Sequence, residues 1–189
     1  FPDQQLLGED VIWSGSAEVG FLASHRILNT ATHGSDGVYG AASGTRLVYR
    51  SIVESAARDN QIYDQWWERD TGAILNQLGI APALHARALI EREGGPDNCA
   101  RPWTVGTDIQ GLYRSRGNDH AAGQRYVELL HRIMNGDLAA IYDEYDRACL
   151  VELPGGKRAH GCADVDNFWM NLRSALPDAK FDVAHVIGR

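Results

Sequence analysis

The chain is short of lysine, of cysteine and of long apolar runs, and each shortage removes a class of function. Only Lys157 and Lys180 are lysines, so arginine carries almost all the positive charge, and no basic cluster stands out. With 18 basic against 25 acidic residues the net charge is −7, which argues against a nucleic-acid partner. The three cysteines, Cys99, Cys149 and Cys162, are odd in number and scattered. They give no disulfide framework and no metal-ligand spacing, so no metal site is expected and a reducing cytoplasm suits them. No run of about 18 apolar residues is present, so no membrane span is expected. No signal peptide is recognisable at Phe1. What is present is a globular composition. Of 189 residues 44% are hydrophobic and 23% charged, enough for one ordinary core.

The first 70 residues read as strands. Residues 19–33 and 45–58 are rich in apolar and β-branched residues with polar ones interleaved. Asp36-Gly37 and Gly40 through Gly44 mark a flexible connection between them. Asp59-Asn60 reads as a tight turn into a further strand over 61–70. Connections this short fit an antiparallel meander and not parallel crossovers. Helical spacing follows over 71–80 and again from Pro82 to the Gly94-Gly95 stop. Residues 94–118 have no periodicity and read as a linker. Asp119 is expected to cap a helix whose stripe is Tyr126, Leu129, Leu130, Ile133 and Met134, and Asp137 a second one. A strand and turn over 147–156, a helix carrying Val165, Phe168, Trp169 and Leu172, and a final strand over 179–189 complete the reading.

The two ends of the chain repeat a phrase. Pro2-Asp3 matches Pro177-Asp178, and Val11-Ile12 matches Val186-Ile187. Both phrases read as a Pro-Asp corner leading into an edge-like strand. A circular permutation would show each element once. A window cut from a tandem repeat would show one element twice, and the duplication favours that reading. The start at Phe1 without Met, and the stop at Arg189 inside an apparent strand, read as cuts.

The residues Gly136-Asp137-Leu138, Tyr145, Pro154-Gly155, Gly161, Phe168, Leu172 and Pro177-Asp178 resemble the front of a SnoaL-like domain, within the nuclear transport factor 2-like superfamily. Trp66, Asp70 and Gln77-Leu78-Gly79 resemble the back of the same domain. The resemblance implies an α+β fold, a curved antiparallel sheet wrapped on helices as a cone, with a pocket opening inward. Residues 1–93 would be the back of a first unit, 94–118 the linker and 119–189 the front of a second. Such units usually pair sheet to sheet, so self-association or intramolecular pairing of tandem units is expected.

In a strand every second side chain shares a face. Ile62, Asp64, Trp66, Glu68 and Asp70 therefore point one way and Tyr63, Gln65, Trp67 and Arg69 the other. If the first set lines the cone, burial against Trp66 would prepare Asp70 for proton transfer near neutral pH. The resemblance makes Asp70 the catalytic candidate, since SnoaL-like cyclases use the matching Asp as general acid/base beside a carbonyl. Asp70 could equally cap the helix that follows it. Trp66, Glu68, His25 and Arg50 are the candidates for contacting substrate. His25 and His33 share a strand face but lie roughly 26 Å apart, too far to act together. The expected function is a small-molecule pocket for a hydrophobic ligand. It would be either a cofactor-independent cyclase or isomerase acting on a polyketide-like carbonyl substrate, or a non-catalytic ligand-binding or dimerisation module.

Overall fold

The computed structural model describes residues 1–101, 104, 106, 107, 109 and 111–188. It is a mixed α and β structure. Four antiparallel strands form one sheet, two more form a hairpin, and five helices are present among the described residues.

The meander forms as its turn residues require. Strands β1 (Gln5–Ser16), β2 (Gly20–Thr32), β3 (Arg46–Arg58) and β4 (Gln61–Arg69) lie side by side in chain order. The expected tight turn is the two-residue loop Asp59-Asn60. Both residues are left-handed, with φ of 53° and 60°, a conformation that Asp and Asn tolerate and that matches the twist of a hairpin. Register shifts between Gly8 and Asp10 and between Ala56 and Ala57 mark bulges, which bend a sheet locally.

Alternation gives the sheet two faces. One carries Leu47, Tyr49, Ser51 and Val53, all buried, and helix α1 (Thr71–Gln77) packs there through Ala73 and Ile74. Asn29, 1% exposed on the same face, is held by Gln4, Ser51 and the Tyr49 carbonyl, so its burial leaves no amide unpaired. The other face carries Arg26, Leu28, Val48, Arg50, Ile52 and Glu68. Helix α2 (Pro82–Arg92) begins on its proline, as expected, and stops before Gly94.

The second core lies under the rest of the chain. Helices α3 (Ala121–Met134), α4 (Ala139–Glu144) and α5 (Gly161–Ala175) enclose Leu129, Ile133, Ala140, Ile141 and Val165 together with the hairpin of β5 (Leu150–Leu153) and β6 (Lys157–His160). Two expected caps are absent. His120 and Leu138, not Asp119 and Asp137, occupy the cap positions, and Asp137 pairs with Arg132 at 2.8 Å.

The final strand is a correction. Residues 179–188 form no strand, and among the described residues their one ladder contact is a parallel bridge from Val186 to Gly117. Side chains hold the segment instead. His185 meets Glu54 at 2.7 Å, and Asn118 grips the Gly188 backbone through both ends of its amide. Both phrases open on a turn at the Pro-Asp pair, as expected, but the first continues into strand β1 and the second into an irregular tail. Pro102, Trp103, Val105, Asp108 and Gln110 of the expected linker lie outside the described residues, as does Arg189.

Candidate functional site

The β5–β6 hairpin lies over the second sheet face and borders an open cavity of about 1130 Å³. Its turn is anchored by one carboxylate. Gly155 and Gly156 are left-handed, with φ of 83° and 69°, so successive N–H groups converge on one point. Asp70 fills that point. Its Oδ1 accepts from Gly155 N–H at 2.9 Å and its Oδ2 from Gly156 N–H at 2.8 Å. Oδ1 also accepts from Ala73 N–H at 2.9 Å, so Asp70 is the N-cap of α1. Asn76 closes the junction by donating to the Gly155 carbonyl at 3.0 Å.

A row of alternating charges ties the middle of the hairpin to the sheet. Arg50 makes a two-pronged contact with Glu9, Nε to Oε2 at 2.8 Å and Nη2 to Oε1 at 2.9 Å. Its remaining Nη1 reaches Glu152 on β5 at 3.0 Å. Arg158 on β6 meets the other oxygen of Glu152 at 3.1 Å, and Arg26 on β2 meets Glu9 at 3.3 Å. The bond from Arg50 holds the Glu9 carboxyl below the usual carboxylate range, and the charges of Arg50, Arg26 and Arg158 act in the same direction.

The rest of the lining is largely apolar. Leu28, Val48 and Ile52 supply the sheet wall, and Leu150, Leu153 and Pro154 the hairpin wall. Tyr126 and Tyr145 close one side. Burial pushes the Tyr145 phenol up, so it remains a neutral hydrogen-bonding group.

Three of the five sequence candidates meet at this cavity: Arg50, Glu68 and Asp70. Trp66 and His25 do not line it. Trp66 packs on Tyr113 and His185, at centroid distances of 5.8 and 5.3 Å. His25 is exposed on the opposite sheet face, in register with Val11 and Val53. Asp64 accepts the Tyr113 N–H at 2.9 Å. Glu9, Arg26, Glu152 and Arg158 were not singled out from the sequence. Arg26 stands in register with Ile52, and Ile52 with Glu68, so strand parity could have found Arg26, whereas Glu9 lies in a bulge where parity fails.

A second cluster of polar and aromatic groups surrounds Glu54. The hydrogen bond from His185 holds the Glu54 carboxyl below its usual range. No group of three or more metal-binding side chains is assembled among the described residues. Among those residues, too, no helix is long and apolar enough to cross a membrane. Comparison with family models, curated proteins and solved structures finds no significant match to this chain.

Proposed function

We propose that this chain is a small-molecule pocket protein of SnoaL-like type, in which the front and back of such a unit close on each other around one cavity. The observation that carries the reading is the cavity itself. It is an open cavity a little larger than the usual small-molecule site, with apolar walls between charged groups. The bulged meander is consistent with a curved sheet. The bonds from Asp70 to Gly155 and Gly156 join the two segments that the resemblance assigns to separate units. In a protein with tandem copies the same contact would join neighbouring copies.

Binding is favoured over cyclisation by the state of Asp70. A general base needs a free lone pair aimed at the substrate. Three N–H groups already take three of the roughly four acceptor positions of the Asp70 carboxylate, and each has a structural task, which leaves Oδ2 one position for other work. The self-association expected of such units has support in a sheet face where Val11, Trp13 and Trp67 are exposed by 41%, 40% and 47%.

The test is calorimetric titration with 2-naphthamide, a flat neutral probe. Saturable binding should weaken about tenfold or more in Ile52→Trp, which fills the sheet wall of the cavity. Absence of saturable binding, or binding indifferent to that substitution, would refute the pocket reading.

A further inference from the structure

The charges of the cavity are not evenly spread. Arg26 and Arg158 stand at the two ends of the ionic row. Each meets its carboxylate with Nε as the nearest nitrogen, and their side chains are 50% and 56% exposed. Neither donates a hydrogen bond through its Nη groups among the described residues. Arg50 differs, since all three of its nitrogens are engaged. Three guanidinium groups therefore share two carboxylates, Glu9 and Glu152.

The remaining acids do not cancel this excess. The Asp70 carboxylate is held by two N–H groups of the hairpin turn and one of α1. Glu68 lies on β4, two strands from Arg26 on β2, and Ile52 stands between them in register. That separation is about 10 Å. The cavity thus carries Arg26 from β2, Arg158 from β6 and both Glu68 and Arg69 from β4, with apolar side chains between. This arrangement runs against the net charge of −7 for the whole chain.

We infer that the ligand of this cavity is an amphipathic anion. Its carboxylate, or an anionic group of like geometry, would lie against the Nη groups of Arg26 or of Arg158, with an apolar body running along Leu28 and Ile52. Guanidinium suits this task because its planar edge offers two parallel N–H donors to a carboxylate. The phenol of Tyr145, neutral at about pH 7 like any ordinary tyrosine, adds a hydrogen-bonding group without adding negative charge. This inference rests on the pocket reading above and adds the charge of the ligand to it.

The experiment compares 2-naphthoate with 2-naphthamide, which share an apolar body and differ in charge. Wild-type protein is titrated with each by calorimetry at low salt. Naphthoate should bind about tenfold tighter than the amide. In Arg26→Met/Arg158→Met the two affinities should come within about threefold, while the amide affinity holds. Both substitutions fall at half-exposed ends of the row, and Arg26→Lys/Arg158→Lys, which keeps the charge without the fork, should lose only part of the preference. Equal affinities in wild type, with both ligands still blocked by Ile52→Trp, would overturn the anion inference and leave the pocket standing. A preference that survives the double Met variant would place the anion elsewhere and also overturn it. No binding of either probe would remove the pocket and this inference together.

Discussion

Replacing Asp70 should destabilise the protein at two places at once. The side chain caps α1 through Ala73 and holds the β5–β6 turn through Gly155 and Gly156. Loss of an N-cap costs about 1 kcal/mol. The partly buried Gly155 N–H would lose a charged acceptor, and such a loss costs about 1–2 kcal/mol. Water can reach the exposed Gly156 N–H, so that bond adds only a few tenths of a kcal/mol. Asp70→Ala should therefore lower stability by about 2–3 kcal/mol. Asp70→Ser separates the two roles, because serine caps a helix well but is too short to reach the hairpin. It should recover about 1 kcal/mol of the loss and no more. The assay is urea unfolding with wild type and both variants compared at equal slope. A change below about 0.5 kcal/mol in Asp70→Ala would refute the anchoring argument. Full recovery in Asp70→Ser would show that the hairpin bonds contribute nothing.

Glu54 should make stability depend on acid. Its folded-state pKa is depressed by the bond from His185, so its contribution is present above the unfolded value, near 4.5, and is lost as pH falls through the lower folded value. Thermal melts of wild type and Glu54→Gln should differ near neutrality and converge progressively as pH falls below about 4.5; a gap that stays constant through the acid range would count against the pair. Arg50 should show its role through salt. Arg50→Met leaves Glu9 and Glu152 facing one another without a shared partner and should cost about 1–2 kcal/mol at low salt. Because the row is partly exposed, the difference should shrink toward about 1 M NaCl, and a salt-independent loss in urea unfolding would mean that packing, not charge, is what Arg50 supplies.

The meander was legible because its information is local. Alternation over residues 19–33 and 45–58, and two residues that accept a left-handed turn at Asp59-Asn60, need no distant partner to be read. The helices were legible in the same way, from the spacing of Leu129, Leu130 and Ile133 and from the stop before Gly94. The last strand failed for the opposite reason. Residues 181–187 alternate acceptably, but a strand also needs a ladder, and only Val186 finds one rung. Asp119 and Asp137 misled because a cap depends on the angle at which the chain enters a helix, and the residue type alone does not fix that angle.

The candidate site divides along the same line. Parity correctly set Trp66 and Glu68 on one face, since Trp66 stands opposite Glu54 and Glu68 opposite Ile52. Parity names a face but not what covers it. Tyr113 and His185, far off in the chain, cover Trp66, whereas one rung away Glu68 opens on the cavity. The anchor at Asp70 was illegible in principle. Its hairpin partners are backbone N–H groups of two glycines, which carry no side-chain signature, and they lie 85 and 86 residues away. The sequence could show that Asp70 was able to cap a helix or to serve a pocket. Only the fold shows that the carboxylate at the pocket's edge is already engaged, and that Arg26 and Arg158 line the same cavity.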